Sequence, residues 1–282
     1  MPANVEKKTS KWILVTGAST GIGRATAEQL ASNGFKVYAG ARKQADLDAL
    51  QEMDNITAVK LDVTKKEDVE SVLKQVAKSN EGLFGLVNNA GIAIAGPLMD
   101  MPDEDIYQQI EVNVMGVHRV TRAFFPLLLE SKGRIVMMSS NSGFWAAPFF
   151  GPYNLSKFAL EGYSDTLRRE LLLYDVKVII IQPGSIHTEI WEKGRALVEK
   201  FRGSIFEKEA EQIGEYAIRK GTTEGLSPVL VAKAVYEALT KDKPKLRYLI
   251  APDMFRNKML KILPGRKIDN IILKKLKQYR ES

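Results

Sequence analysis

The residues best suited to chemistry are Tyr153 and Lys157, one helical turn apart, and Ser140, thirteen residues before the tyrosine. Residues at i and i+4 of a helix lie about 6 Å apart on nearly one face, so the phenol and the ammonium would project into the same space. At about 5 Å and an effective dielectric constant of about 20, the lysine charge favours the phenolate by roughly 3 kcal/mol, which would lower the phenol's pKa from about 10 to about 8. Such a phenol is a usable acid near neutral pH. With a hydroxyl beside it, the pair indicates a hydride-transfer site for a carbonyl compound.

A glycine-rich turn near the start of the chain predicts a cofactor site. Residues 12–16 are typical of a short strand, and a helix-compatible stretch begins after the turn at residues 17–23. Glycines let the backbone approach a pyrophosphate, and the free N–H groups of a helix start bind its charge. A plain tight turn is the alternative. The predicted contacts are Gly17, Ser19, Thr20, Gly21, Ile22 and Gly23.

The same turn also matches the G-x-S-x-G pattern of a serine hydrolase, with Ser19 as the nucleophile. A hydrolase of that kind needs a histidine and an acid, and only His118 and His187 are present in the chain. It would also leave the tyrosine, the lysine and Ser140 without a role, so this alternative is the less favoured one. His187 itself is interpreted as a packing or loop residue.

The ends of the next three predicted strands supply the remaining cofactor contacts. The strand at 36–41 is followed by Arg42, with no acid to bind ribose hydroxyls, and an arginine suits a 2′-phosphate, so NADP(H) is preferred over NAD(H). Strands at 56–61 and 84–87 end at the same edge of the sheet, where such folds bind ligands. The contacts predicted there are Asp62, Val63, Asn89, Ala90 and Gly91.

Taken in order, the glycine turn, the Asn-Asn-Ala-Gly run at 88–91, Asn113, Ser140, Tyr153, Lys157 and Pro183-Gly184 closely resemble the short-chain dehydrogenase/reductase family. The resemblance covers roughly residues 10–250. It implies an α/β fold, a doubly wound parallel seven-stranded sheet of the Rossmann type. It also implies an NAD(P)-dependent oxidoreductase, and pairing of copies through the helices near Asp103 and Tyr153, hence a homodimer or homotetramer.

The resemblance also implies a role for each matching residue. Tyr153 would be the general acid/base, and Lys157 would lower its pKa while holding the nicotinamide ribose. Ser140 would orient the substrate oxygen, and Asn113 would anchor a water that links the lysine to solvent. Further cofactor contacts would come from Pro183, Gly184, Ile186 and Thr188.

Asn113 stands out on physical grounds as well. It falls within residues 103–130, whose apolar spacing is helical, and asparagine disfavours a helix interior because its amide competes for backbone partners. We therefore expect a compensating contact; a neutral surface asparagine is the alternative.

The substrate side is predicted to be apolar. Residues 185–226, which include Trp191 and Phe201, are longer than a connection needs and are predicted to form a substrate lid. Phe144, Trp145, Phe149 and Phe150 lie between Ser140 and Tyr153. Apolar residues around a few polar groups favour a small hydrophobic carbonyl or alcohol as substrate. The stretch 153–171 most resembles the retinol and hydroxysteroid dehydrogenase branch.

Composition narrows the remaining possibilities. The chain of 282 residues shows no linker and is predicted to form a single domain. It has no cysteine, which excludes disulfides, thiolate zinc sites and a cysteine nucleophile, and we assign no metal site. The polar N-terminus and the lack of about 18 consecutive apolar residues predict a cytoplasmic protein. A regulator that binds NADPH without turning over a substrate is the non-enzymatic alternative.

The whole excess of positive charge lies within the C-terminal extension (residues 253–282), in its residues 255–282. Residues 255–282 carry nine Lys or Arg against Asp269 and Glu281, and the rest of the chain has 32 charges of each sign. Apolar residues alternate with these charges, so we expect one or two basic amphipathic helices broken at Pro264-Gly265. Their apolar face either packs on the domain or a second subunit, or rests on an anionic membrane. No nucleic-acid partner is expected, since the charge is narrowly placed and no recognition motif accompanies it.

Overall fold

A parallel β-sheet forms the centre of the protein in the computed structural model, which describes residues 11–188 and 200–281. Its strands, all parallel, lie in the order β3-β2-β1-β4-β5-β6-β7. The predicted doubly wound α/β fold is confirmed, and the predicted strands are correct to within one residue at each end. The strands are β1 (Trp12–Val15), β2 (Lys36–Ala41), β3 (Ile56–Lys60), β4 (Gly85–Asn88), β5 (Arg134–Met138), β6 (Lys177–Pro183) and β7 (Arg247–Ile250).

Helices cover both faces of the sheet, which is why the central strands are almost entirely apolar and buried. One face packs against α1, α2 and α8, and the other against α3, α5 and α6. Within the described ranges the helices are α1 (Gly21–Ser32), α2 (Gln44–Gln51), α3 (Lys66–Lys78), α4 (Asp103–Ile110), α5 (Gly116–Glu130), α6 (Gly151–Glu170), α7 (Glu207–Thr222), α8 (Pro228–Thr240), α9 (Met254–Leu260) and α10 (Gly265–Glu281).

The strand order places a crevice between β1 and β4. The chain runs outward from β1 to β3 and then crosses back to β4, so the connections leave the sheet in opposite directions at this point. Open α/β sheets bind ligands at such a reversal, outside the carboxyl ends of the strands.

The stretch 103–130 departs from the single α-helix that its spacing predicts. A π-helical turn, Glu111–Met115, separates α4 from α5. Such turns hold one extra residue and are frequent at functional sites. Asn113 lies at the centre of this one.

The C-terminal extension forms two helices, as predicted, with the break at Pro264-Gly265. Helix α10 packs against α7. Arg280 Nε lies 2.6 Å from Glu209 Oε1, and Lys275 Nζ lies 4.2 Å from the centroid of the Tyr216 ring. This contact favours packing of the extension on the domain over its binding to a membrane. Contact with a membrane stays a prediction. Among residues 11–188 and 200–281, no helix is long and apolar enough to cross a bilayer.

Of the predicted lid, residues 185–188 and 200–226 are described, and Trp191 lies outside the described residues. The described part contains α7 and Phe201, which is buried against Ile94 and Met101. Its extent, residues 185–226, stays a prediction.

Candidate active site

One groove runs along the carboxyl ends of the strands, and it brings together nearly all of the predicted site residues. Asn113 is the exception, since it lies behind the groove wall. Sequence reasoning missed several apolar and hydroxyl residues of the lining, which carry no motif of their own. These are Ala41, Leu61, Ile92, Val112, Met138 and Ser139.

The glycine turn between β1 and α1 leaves no room for side chains. Gly17 has φ +64°, and a Cβ there would lie 2.8 Å from the Cα of Ala90. A Cβ on Gly23 would lie 2.0 Å from the carbonyl oxygen of Gly17. The backbone itself therefore forms this part of the groove floor, as the approach of a phosphate requires.

The start of α1 fits the pyrophosphate of a dinucleotide. Thr20 is the N-cap residue of α1, but its side chain makes no hydrogen bond to the N–H groups of the first turn. That turn also contains no acidic residue. The N–H groups of a helix start carry partial positive charge and bind anions. Ser139 also lines the groove, and its buried Oγ makes no hydrogen bond within the described residues.

A polar clamp connects the glycine turn to the loop after β4. Thr16 Oγ1 accepts hydrogen bonds from the backbone N–H groups of Asn89 and Ala90, each at 3.0 Å. Asn89 Nδ2 in turn donates to the carbonyl oxygens of Thr16 (3.0 Å) and Gly17 (2.9 Å). The side chain of Asn89 thus braces the two loops. Thr16 was missed because, within a strand, its hydroxyl gives no sequence signal.

Arg42 and Asp62 face each other across the far end of the groove. Arg42 Nη1 lies 4.0 Å from Asp62 Oδ2, and the arginine side chain is 65% exposed. Burial would raise the pKa of Asp62, but hydrogen bonds from Thr64 and the charge of Arg42 lower it below its usual range. The guanidinium is therefore accessible and only weakly paired.

Asn113 makes the compensating contacts that its helical position requires. Its Oδ1 accepts from the N–H of Ile92 at 2.9 Å, and its Nδ2 donates to the carbonyl of Ile92 at 3.0 Å and to Ser156 Oγ at 3.2 Å. The residue is 1% exposed, so the surface alternative is wrong. One turn earlier, Gln109 binds the N–H of Ile94 (2.7 Å) and the carbonyl of Ile92 (2.9 Å), a brace that sequence reasoning missed.

Tyr153 and Lys157 lie on the same face of α6, as the i, i+4 spacing predicts, but the expected effect on the tyrosine is wrong. Burial raises the pKa of Tyr153, and a hydrogen bond with Ser140 only partly lowers it. Lys157 does not offset the burial. Its Nζ donates to the carbonyl of Met138 at 2.8 Å and lies 5.6 Å from the centre of the phenol ring. Burial also lowers the pKa of Lys157 to about 8, against the opposing charge of Glu161.

Ser140 lies two residues after the end of β5 and is buried beside the phenol. Its Oγ lies 3.2 Å from Asn141 Oδ1 and 3.3 Å from the carbonyl of Pro183, both acceptors, and it accepts from the N–H of Ser142 at 3.1 Å. The hydroxyl is thus surrounded by acceptors for its proton. A substrate oxygen entering the groove would be one more.

Neither histidine lines the groove, although His187 lies between the lining residues Ile186 and Thr188. His118 Nδ1 lies 3.3 Å from the hydroxyl of Tyr163, and the backbone N–H of His187 donates to the carbonyl oxygen of Leu226. Ser19 therefore has no histidine beside it in the groove, which removes the general base that a hydrolase needs.

Comparison with known proteins gives the family. The family model described as "short chain dehydrogenase" matches residues 11–197. An NADPH-dependent 3-dehydrocapnine reductase of Ornithobacterium rhinotracheale is 35% identical, over 96% of this chain and 99% of its own. Human retinol dehydrogenase 16 is 34% identical, over 84% and 80%. A short-chain dehydrogenase/reductase of Burkholderia phymatum, solved in complex with NAD, superimposes with a TM-score of 0.75 at 26% identity, over 86% and 89%.

The chain therefore belongs to the short-chain dehydrogenase/reductase family, and it is an oxidoreductase that uses NAD(P). Relatives include both NADPH-dependent and NAD-bound proteins, and their names cover chemically different substrates.

Proposed function

We propose that the protein is an NADP(H)-dependent reductase of small hydrophobic carbonyl compounds, reversible as an alcohol dehydrogenase, with Tyr153 as the general acid/base. The observation that carries the proposal is the meeting of Tyr153, Lys157 and Ser140 in a groove whose other end is a glycine-rich turn with backbone open to a phosphate. Proton donor, substrate-orienting hydroxyl and cofactor site thus share one continuous space.

The bound nicotinamide would supply the hydride, and the residues of this chain would handle the proton. Because burial keeps Tyr153 protonated at neutral pH, its phenol is ready to donate to the oxygen of a carbonyl substrate. Ser140 would donate a second hydrogen bond to that oxygen and fix the carbonyl against the cofactor. The phenolate left behind would then be stabilised by the nearby ammonium of Lys157.

Arg42 supports NADP(H) as the preferred cofactor. Its guanidinium is exposed beside the groove, follows β2 directly, and has a carboxylate only at 4.0 Å, too far for a close ion pair. A 2′-phosphate would give it a bidentate partner of higher charge. The NADPH-dependent relative agrees with this preference, whereas the NAD-bound one does not, so the cofactor must be measured.

An apolar substrate pocket is supported by an aromatic contact between the loop before α6 and the predicted lid. Phe149, in the loop before α6, packs edge-on against Phe206, just before α7, with ring centres 5.8 Å apart. The predicted lid and the catalytic loop are therefore in contact through apolar side chains, which favours substrates of the retinol and hydroxysteroid type. The predicted location remains the cytoplasm.

A homodimer or homotetramer is supported by large apolar side chains on the outer surfaces of α4, the π-helical turn that follows it, α5 and α6. A monomer would leave these exposed, and such patches mark interfaces. Sedimentation of the Phe158→Glu variant tests this: a stable dimer or tetramer in the parent should dissociate, and a monomeric parent contradicts the proposal. The exposed residues are Tyr107, Met115, Leu129, Leu155 and Phe158.

The Tyr153→Phe variant tests the catalytic assignment. With a panel of ketones and aldehydes followed by NADPH absorbance, we expect the parent to turn over at least one class and the variant to lose about 10³-fold or more in kcat. NADPH affinity should change less than threefold, because the phenol oxygen is a minor part of the cofactor site. Normal turnover by the variant would refute the assignment.

The same panel separates the enzyme from the regulator. A regulator would bind NADPH tightly and reduce none of the compounds, and it needs no proton donor. Ester hydrolysis lost in a Ser19→Ala variant would instead favour the hydrolase.

A further inference from the structure

Helix α9 lies at the catalytic edge of the sheet because of the strand order. β5, β6 and β7 are parallel neighbours, so their carboxyl ends open on the same edge. β7 ends at Ile250 and α9 begins at Met254, which brings the start of the C-terminal extension beside the loop that follows β5. Within α9, Asn257 is only 2% exposed, although its helix is otherwise largely open to solvent.

A chain of side-chain hydrogen bonds connects Asn257 to Ser140. Ser140 Oγ donates to Asn141 Oδ1 at 3.2 Å, and Asn141 Nδ2 donates to Asn257 Oδ1 at 3.1 Å. Asn257 Nδ2 donates to the carbonyl oxygen of Asp253 at 2.7 Å. Two amides thus join the serine hydroxyl to the backbone of a helix that lies more than one hundred residues further along the chain.

The backbone end of this chain determines the orientation of both amides. A carbonyl oxygen can only accept, so Asn257 must turn its NH2 group toward Asp253 and its oxygen toward Asn141. Asn141 must then turn its own NH2 group toward Asn257, which leaves its oxygen facing Ser140. In the resting site Ser140 therefore donates its single proton to Asn141 Oδ1, and this proton would turn to the substrate oxygen when a carbonyl compound binds.

A second contact holds the same segment in place. Lys261, one residue after α9, donates from Nζ to Gln182 Oε1 at 3.1 Å and lies 3.9 Å above the centre of the Phe144 ring. Gln182 Nε2 donates to Glu161 Oε1 at 2.9 Å. Residues 257 and 261 thus fasten the extension on two sides of the loop that carries Ser140.

We propose that Asn257 is a positioning residue of the active site: acting through Asn141, it holds the hydroxyl oxygen of Ser140 in the place from which its proton can turn to the substrate oxygen. The proposal rests on the proposed function, because it concerns the same hydroxyl. It makes the beginning of the C-terminal extension part of the catalytic machinery, while α10 remains outside it.

The Asn257→Leu variant keeps the side-chain volume and removes the oxygen that Asn141 binds. We expect kcat for a carbonyl substrate to fall about tenfold, the effect of losing roughly one oriented hydrogen bond, with the KM for NADPH within twofold of the parent. Lys258→Ala, an exposed change at the next position of the same helix, is the matched control and should leave both constants unchanged.

A double-mutant cycle with Asn141→Ala tests whether the two amides act as one unit. If they do, the double variant loses no more activity than the worse single variant, whereas independent effects would multiply to about one hundredfold. A kcat within twofold of the parent for Asn257→Leu, or multiplying effects, would overturn the proposal. If Asn257→Leu does not fold, a kcat of the half-buried Asn141→Ala variant within twofold of the parent overturns it as well.

The pKa of Tyr153 can be measured without a substrate, so it tests the role of Asn257 independently of the proposed function. In ¹³C-tyrosine-labelled protein, the signal of Tyr153 is assigned by its loss in Tyr153→Phe and titrated against pH. The hydrogen bond with Ser140 lowers the pKa of Tyr153, so Asn257→Leu should raise it. The charged groups near this network, Lys157, Glu161 and Lys261, are unchanged in the variant. An unaltered titration contradicts the positioning role even if no carbonyl compound proves to be a substrate.

Discussion

The two ends of the groove are built in different ways. At the nucleotide end, between β1 and β4, the floor is backbone, held by glycines that tolerate no Cβ and by the clamp of Thr16 and Asn89. At the catalytic end, side chains from distant segments meet, among them Asn141, next to Ser140, and Asn257. The first end depends on close backbone packing and admits few substitutions. The second depends on tertiary packing, which leaves room for relatives with different substrates.

Among these variants, Gly23→Ala should have the largest effect, a loss of NADPH affinity. A small effect would contradict the close-packed nucleotide end described above. The new Cβ would lie 2.0 Å from the carbonyl oxygen of Gly17 and 2.5 Å from Asn89 Nδ2, so the turn and the clamp must both move. We expect NADPH affinity, measured by titration calorimetry, to fall more than about 100-fold, that is by about 3 kcal/mol.

Gly162→Ala provides the control, because a Cβ at this position of α6 meets nothing within 4 Å. It should bind NADPH normally and be slightly more stable, by up to about 1 kcal/mol, through helix propensity. Equal affinities for the two variants would mean that the nucleotide end is not close-packed.

Arg42→Asp should change which cofactor is used and leave the catalytic end untouched. Loss of the guanidinium and gain of a carboxylate disfavour a 2′-phosphate and favour free ribose hydroxyls. We expect the ratio of kcat/KM for NADPH to that for NADH to fall about 10- to 100-fold, with kcat at saturating cofactor within threefold. Lys43→Asp, at the next position, is the control for a general change of charge. No change in the ratio would count against Arg42 as the phosphate contact.

Lys157→Met should show how much the burial of the charged lysine at the catalytic end reduces the stability of the folded protein. Because the pKa of Lys157 is lowered to about 8 in the folded protein, both states are protonated well below pH 8, and the folded state then carries the full cost of a buried charge. Between about pH 8 and the usual lysine pKa of 10.5, the unfolded state binds more protons, so the stability of the parent rises with pH by at most about 1.4 kcal/mol per pH unit.

The Met variant should lack this rise. Urea denaturation of both proteins at pH 7.5, 8.5 and 9.5 measures it, below the range where the raised pKa of Tyr153 acts in the opposite direction. Parallel pH dependences would mean that Lys157 is not desolvated as the structure indicates.

The same division explains what could be predicted from the sequence. The glycine turn and the Tyr153–Lys157 pair were predictable because a loop of seven residues and one helical turn fix their geometry locally. The pKa of Tyr153 was not, since desolvation depends on everything that encloses the phenol, and the lysine finds a backbone partner in Met138 that no spacing reveals. Asn257 was not predicted either, because it meets Asn141 only through the order of β5, β6 and β7.

The π-helical turn at Glu111–Met115 has a consequence for how this chain can vary in length. Its extra residue offsets the phase of α4 against that of α5 by about 100° of rotation about the axis. Gln109 and Asn113, spaced i, i+4, both bind the loop residue Ile92 from successive turns. Deleting a single residue here would restore an ordinary helix and rotate α4 by about 100° relative to the packed face of α5, which would turn the amide of Gln109 away from Ile92. Surface loops generally tolerate insertions, but this helical segment would not tolerate the gain or loss of even one residue.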